Sequence, residues 1–270
     1  MSNKLISVVM ATYQGDRLDH LKIAIQSILS QKYVEFELLI VCDGPVDSIR
    51  KEYLESLPDN TITINLLKNA GPSTARNAGI DAARGFYIAI MDSDDISMPC
   101  RLRQQLNFLI DNDLDLVSSD LSIINSNGDV TGIRRVPYRH ADIRKMAAIR
   151  CPMHNPSAFG KARLFKELKY NTALSVSEDY DLWVRALLHG YRLGNISSSL
   201  VKYRQDKNSI LKRVGFNYSK SDFLVKYLSL KLLPFYQRPF YLCIALISAS
   251  IRLLPPSVFE IVYRWRSKPK

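Results

Sequence analysis

Cysteine is scarce and scattered in this chain. Its four residues, Cys42, Cys100, Cys151 and Cys243, form no Cys-x-x-Cys pair and no cluster with histidine. That spacing suggests neither a zinc site nor a disulfide framework, and it fits a reducing compartment. A membrane-spanning run is also missing from the tail. Phe240 to Ile251 carries no charge, but it covers 12 residues between Arg238 and Arg252, short of the roughly 20 that a spanning helix needs. Met1-Ser2-Asn3-Lys4 runs straight into a strand-like segment, without the h-region of a signal peptide. There are no internal repeats and no low-complexity tracts. The first strand-like segment leads into Ala11-Thr12-Tyr13-Gln14-Gly15-Asp16. This is neither Gly-x-Gly-x-x-Gly nor a P-loop, so nicotinamide, flavin and P-loop chemistry are set aside. Asp43 nevertheless stands where dinucleotide-binding folds keep a ribose-binding acid.

What is present is unevenly placed. The net charge of +11 lies wholly in the last quarter of the chain. Residues 1–201 hold 23 basic and 23 acidic residues, whereas residues 202–270 hold 14 basic and 3 acidic ones. A neutral body with a basic, apolar tail points to an anionic membrane surface and not to nucleic acid. In the tail, Phe223, Leu224, Tyr227 and Leu228 fall at helical spacing with Lys226 and Lys231, and Arg264, Arg266, Lys268 and Lys270 follow Phe240–Ile251. Such helices suit an interfacial, monotopic association. The competing reading is an ordinary helical pair packed on the domain, with a basic surface.

Periodicity lays out the body. Buried strands are predicted over residues 5–11, 36–41, 62–67 and 86–91, separated by helices over 19–31, 49–57 and from Ser73, the expected N-cap, to just before Gly85. That βαβαβαβ order implies a parallel, doubly wound sheet. Further helices are predicted over 99–111, 142–150 and 178–189. Strand character appears over 114–125, 130–136, 157–160 and 193–204. The expected division is a globular domain over 1–205 and a basic, apolar helical extension over 206–270.

At the end of the fourth strand stands Met91-Asp92-Ser93-Asp94-Asp95. In open α/β sheets, ligands bind beyond the carboxyl ends of the strands. Crowded carboxylates repel one another unless a cation or hydrogen-bond donors offset the charge. Oxygen ligands suit Mg²⁺ or Mn²⁺, which often combine one or two carboxylates with substrate phosphates. The same stretch also reads as a solvated acidic turn capping the next helix. Three other stretches reach the same sheet edge: Ala11–Gly15, Asp43-Gly44, and Gly71-Pro72-Ser73-Thr74-Ala75-Arg76-Asn77. Glu178-Asp179-Tyr180-Asp181 follows downstream.

Together these five stretches, in this order, resemble the family 2 glycosyltransferases, inverting enzymes of the GT-A fold. The resemblance covers roughly residues 4–205. It implies that the Ala11, Thr12 and Tyr13 loop and Asp43 bind a nucleotide base, usually uracil. The Tyr13 ring would stack, and Asp43 would accept from the base, although it also reads as a turn former before Gly44-Pro45. Arg76, near a helix start, is implied in nucleotide or phosphate contact, the alternative being an ion pair with the acidic cluster. Asp92-Ser93-Asp94 matches the family's Asp-x-Asp motif. That match gives Asp94 as main ligand to Mn²⁺ or Mg²⁺, Asp92 as a ribose or metal contact, and Ser93 as part of the nucleotide-sugar site. Asp95 is expected to cap the next helix or touch the donor sugar. Asp179 matches the catalytic base, with Glu178 beside it in the nucleotide-sugar site. The bland alternative is that Ser177-Glu178-Asp179 simply starts a helix. His154 is expected to be structural or to reach the metal or acceptor phosphate, and Trp183 to be core. The Gln-x-x-Arg-Trp of processive relatives is absent after the base, so one sugar is transferred per reaction.

The resulting expectation is a non-processive transferase acting from a UDP-sugar on a polyprenyl-diphosphate-linked saccharide. It would work at the cytoplasmic face of the bacterial inner membrane, in O-antigen, capsule or exopolysaccharide assembly. The alternatives are a catalytically inactive nucleotide-sugar-binding scaffold and a nucleotidyltransferase. The latter usually has a Gly-rich loop with a basic residue after strand one, which this chain lacks.

Overall fold

The computed structural model describes residues 4–205, 214–255 and 258–259. Arg264, Arg266, Lys268 and Lys270, counted above in the basic tail, lie outside the described residues, as do residues 206–213.

Nine strands form one mixed sheet in the order β3-β2-β1-β4-β8-β6-β9-β5, with β7 paired to β6. The first half is the parallel sheet expected from the sequence: β1 (Ile6–Thr12), β2 (Phe36–Cys42), β3 (Thr61–Asn65) and β4 (Tyr87–Asp92). The helices α1 (Leu18–Leu29), α2 (Ser48–Glu55) and α3 (Pro72–Ala82) follow the first three of these strands. Alternation along the strands divides the core between the two sheet faces. Val9, Leu39, Ile88 and Ile90 join one cluster, while Val8, Met10, Leu38 and Ile40 join the other with Leu21, Ile25 and Ile28 of α1.

The second half departs from a parallel sheet. After the two-residue β5 (Ile96–Ser97) and α4 (Arg101–Asp111) come β6 (Leu116–Ile124), β7 (Val130–Arg134) and α5 (His140–Met146). The short β8 (Phe159–Lys161) then enters between β4 and β6, antiparallel to both. The chain continues through α6 (Ala162–Leu168) and α7 (Glu178–Leu188) to β9 (Leu193–Arg204), parallel to β6.

Two local expectations need correction. The N-cap of α3 is Gly71 at φ 89°, with Pro72 in the first turn; Ser73 lies inside the helix. Proline is favoured there because its missing N–H is not needed. Gly85 does not cap α3. A Cβ on it would stand 2.7 Å from Leu5 O and Ser7 N, so its role is close approach to β1.

In the tail, α8 (Phe216–Ser229) packs on α7, and α9 (Arg238–Ile251) packs on α8. Val225 and Leu232 belong to the same core cluster as Trp183 and Tyr180. The extension is therefore built into the domain through α8. Among the described residues no helix is long and apolar enough to cross a membrane.

Candidate active site

The loop after β1 is held from α2. Arg50 is buried, and its guanidinium donates to the carbonyls of Tyr13, Gln14 and Asp16 and to Thr12 Oγ1. The Asp16 carboxylate then gathers this loop and the acidic strand end. Its Oδ2 accepts from Thr12 Oγ1 (3.0 Å), Tyr13 N–H (3.3 Å) and Ser93 Oγ (2.6 Å). Ala11 pairs with Asp92 in the β1–β4 ladder. The Tyr13 ring is 46% exposed, so a face remains free for stacking. A Cβ on Gly15 would fall 2.4 Å from that ring, so glycine leaves the tyrosine room to lie back over the loop.

Asp43 follows β2 and is buried. Its Oδ1 accepts from Ala70 N–H (2.7 Å) and Oδ2 from Gly71 N–H (2.9 Å), which ties the β2 end to the loop opening α3. Each carboxylate oxygen keeps a second lone pair for a ligand donor. The left-handed Gly44 (φ 93°) makes this turn possible, since a Cβ there would meet Asn69 N at 2.7 Å.

Arg76 is the bridge of the site. It is nearly buried, and donates from Nη2 to Asp92 Oδ1 at 2.9 Å and from Nη1 to Glu178 Oε1 at 3.0 Å. Its guanidinium lies over the Tyr170 ring, 5.4 Å from the centroid. Burial disfavours its charge, but Asp92, with Glu178 adding to it, holds the guanidinium firmly protonated. Of the two roles open for Arg76, the ion pair with the acidic cluster is the one formed here. Among the described residues its Nε–H has no hydrogen-bond partner.

The acidic residues separate by environment. Asp94 is pushed up to about 6, by burial first and then by the charges of Asp92 and Asp16. No other residue donates a hydrogen bond to its carboxylate among the described residues. Asp95 is fully buried. Its Oδ1 accepts from Arg204 N–H (2.8 Å), and burial with the Asp94 and Asp92 charges raises it well above the usual carboxylate range. It does not cap α4, whose N-cap is Cys100. Arg204 also donates from Nε to Asp94 O (3.0 Å) and from Nη1 to Asn125 O and Ser126 O, pinning the motif's backbone to the β6–β7 turn. Beneath it, Arg101 is completely buried and donates to Ile90 O (2.8 Å).

Asp179 lies in the first turn of α7, next to the bridge. Ser177, just before, takes the left-handed conformation at φ 62°, uncommon for a residue with a side chain. The Asp179 carboxyl is pushed up to about 7, chiefly by burial and then by the Glu178 charge, against the Tyr180 N–H and Arg76, which lower it. The Cys151 sulfur stands 4.0 Å from Asp179 Oδ2. Trp183 is core, edge-on to Phe165. His154 donates its backbone N–H to Ser118 Oγ.

A divalent cation fits this donor set only with help from a substrate. Among the described residues no three His, Cys, Asp or Glu side chains form a complete ligand cluster. Asp92 and Asp94 offer carboxylates at one strand end, and burial, with the Asp92 and Asp16 charges adding to it, raises Asp94. Two carboxylates completed by phosphate oxygens and water is the habit of Mg²⁺ sites.

A family model described as glycosyl transferase family 2 matches residues 7–170. The chain belongs to glycosyltransferase family 2. It is 34% identical over 235 residues to the O-antigen biosynthesis glycosyltransferase WbnJ of Escherichia coli, covering 82% of this chain and 90% of that one. It is 30% identical over 268 residues to a UDP-Gal:alpha-D-GlcNAc-diphosphoundecaprenol beta-1,3-galactosyltransferase of Escherichia coli, covering 96% and 94%. An uncharacterized glycosyltransferase of Methanocaldococcus jannaschii is 35% identical over 238 residues, covering 86% and 80%. In fold, S. aureus TarS 1–349 in complex with UDP superposes with a TM-score of 0.66 at 18% identity, covering 89% of this chain and 70% of that one. The fold of this glycosyltransferase is therefore GT-A.

Sequence reasoning missed Asp16, Arg50 and Arg204 as organisers of the site. Asp16 had a signal, a carboxylate within the loop already singled out. Arg50 had none, because nothing in a helix pattern shows that its side chain turns back under a preceding loop. Arg204 closes a contact with Asp95 across 109 residues, beyond any local pattern.

Proposed function

We propose that this glycosyltransferase moves one hexose from a UDP-sugar to a lipid-linked saccharide, with inversion, in the assembly of a surface polysaccharide. The observation that carries the reading is the Arg76 bridge. It joins the acidic strand end to the α7 N-terminus, bringing a leaving-group site and a candidate base to one edge of the sheet. The UDP and UDP-GlcNAc complexes of TarS support the donor class, and the diphosphoundecaprenol galactosyltransferase supports the acceptor class.

The Thr12–Tyr13 loop and Asp43 hold the base of the nucleotide, and Asp92 and Ser93 its ribose side. Asp94 and Asp92 hold Mn²⁺ or Mg²⁺, which when bound neutralises charge on the departing diphosphate. Asp179 accepts the acceptor hydroxyl's proton as that oxygen bonds to the anomeric carbon. The bond from that carbon to the diphosphate breaks on the opposite face, and UDP leaves. A carboxyl near 7 suits this work, because a base titrating close to working pH combines availability with driving force. The Gln-x-x-Arg-Trp of processive relatives is missing, so the enzyme adds a single sugar. The basic, apolar tail binds it peripherally to an anionic membrane, the cytoplasmic face of a bacterial inner membrane.

The test is UDP release with Mn²⁺ across a panel of sugar nucleotides, using lipid-extracted acceptor. Asp179→Asn is expected to abolish transfer and to keep metal-dependent UDP binding. Transfer surviving in that variant would place the base elsewhere. No turnover with any donor would favour a nucleotide-sugar-binding scaffold.

A further inference from the structure

The two tail helices differ in how they are used. The inner one, α8, is structural. Val225 and Leu232 sit in the main core, and Asp222, Lys226 and Ser229 are buried. A polar lock fastens α9 to it. Asp222 Oδ2 accepts from Lys226 Nζ (2.7 Å) and Ser248 Oγ (3.2 Å) and pairs with Arg252 (3.2 Å), while Ser219 Oγ donates to Ala249 O (2.8 Å).

The outer helix is of another kind. Only Ala245 of α9 is buried. Its inner side, Tyr241 and Leu242, rests on Ala148, Leu230 and Leu233. Its outer side is apolar where a soluble surface is normally polar. Phe240 is 65% exposed, Leu246 50% and Ile247 60%, and Phe235 and Tyr236 in the preceding turn are about four-fifths exposed at 82% and 79%. Cys243 is exposed within the same stripe. Positions 240, 243 and 246–247 repeat at helical spacing, so they form one continuous face. After Arg238, its first residue, α9 carries no charge, and the exposed Lys231 lies before it.

We infer that this outward stripe of α9, centred on Phe240, Leu246 and Ile247, lies flat on an anionic lipid surface beside the Asp179 side of the enzyme. The inference deepens the membrane reading above and rests on it. An aromatic, uncharged helical face flanked by Lys231 and Arg238 is a composition that partitions into an anionic interface. At 1.5 Å per residue its 14 residues reach about 21 Å, too short to span and long enough to lie along a bilayer. The position relative to the base follows from the packing. The Ala148 that supports α9 is three residues from Cys151, whose sulfur stands 4.0 Å from Asp179 Oδ2.

Cys243 supplies the reporter. The full-length protein is labelled at Cys243 with an environment-sensitive dye, the position is checked by peptide mapping, and the protein is mixed with vesicles. The expected result is a blue shift and co-sedimentation with phosphatidylglycerol-containing vesicles, both reduced by salt and absent with phosphatidylcholine alone. Phe240→Glu with Ile247→Glu should weaken sedimentation by at least about tenfold, while Ile133→Glu on the exposed β7 should not. UDP binding must be unchanged in all three proteins, which reports folding. Sedimentation with a dye that stays water-like would overturn this face and leave the membrane reading standing. Failure of the wild type to bind either vesicle would end both. A lipid-free blue shift that grows with protein concentration would assign the stripe to a second copy and overturn the inference.

Discussion

Arg76 Nη1 lies 3.0 Å from Glu178 Oε1, a contact between α3 and α7 across 102 residues. Because the same guanidinium holds Asp92, charge at the acidic strand end and charge beside Asp179 are linked through one side chain. Arg76→Met should therefore do two things. Breaking a nearly buried pair by removing one partner costs about 3–5 kcal/mol, visible as a lower melting temperature. It also removes a charge that lowers the Asp179 pKa, so the acid limb of kcat/KM should move to higher pH.

On the proposed mechanism the first acid limb of the wild type reports Asp179, since Asp94, pushed up to about 6, titrates below it. The base works ionised, and its carboxyl titrates at about 7. Below that value kcat/KM should fall about tenfold per pH unit. Glu178→Gln removes a like charge, and the limb should shift toward acid.

Stability moves the other way. The folded pKa of Asp179, about 7, lies above the ordinary 3.8. The native state therefore holds a proton that the unfolded chain has released. The contribution is fully present below about 4 and is lost as pH rises toward 7. Asp179→Asn should melt higher than the wild type at pH 8 and much like it at pH 4, as read by thermal denaturation.

Arg204 holds Asp94 by its backbone carbonyl and Asp95 by its carboxylate. Groups that orient metal ligands typically cost 10–100-fold in metal affinity when changed. Arg204→Lys should raise the Mn²⁺ concentration needed for half-maximal activity by roughly tenfold, with kcat largely recovered at saturating metal. EDTA should abolish activity in both proteins.

Leu232 separates the core role of the tail from its surface role. It is buried in the main cluster, so Leu232→Ala should cost roughly 2–5 kcal/mol. Truncation before α8 removes Val225 as well, and it should lower the melting temperature before it reports on membranes.

The first four strands and their helices were legible because each is a short apolar run or an amphipathic period. Their carboxyl ends named Asp43 and Asp92–Asp95 directly. The second half was less legible. The three residues of β8 are too few to show a period, and their antiparallel insertion is decided by pairing with Ala89 and Leu116. The first turns of α8, from Phe216, carry no apolar period, because their buried face holds Ser219, Ser221 and Asp222, whose burial follows from the lock with α9 and not from hydrophobicity.

The insertion of β8 between β4 and β6 also sets an order of assembly. A growing chain can pair β1 with β2, β2 with β3 and, once Tyr87–Asp92 has emerged, β1 with β4, because none of these pairings needs a later segment. The edge of β4 must then stay open until Phe159 arrives, and Arg76 has no Glu178 until later still. A nascent or truncated chain would thus gain the Thr12–Tyr13 loop and Asp43 well before Asp179. On the roles proposed above, a sugar donor could be held, but not spent, until synthesis is nearly done.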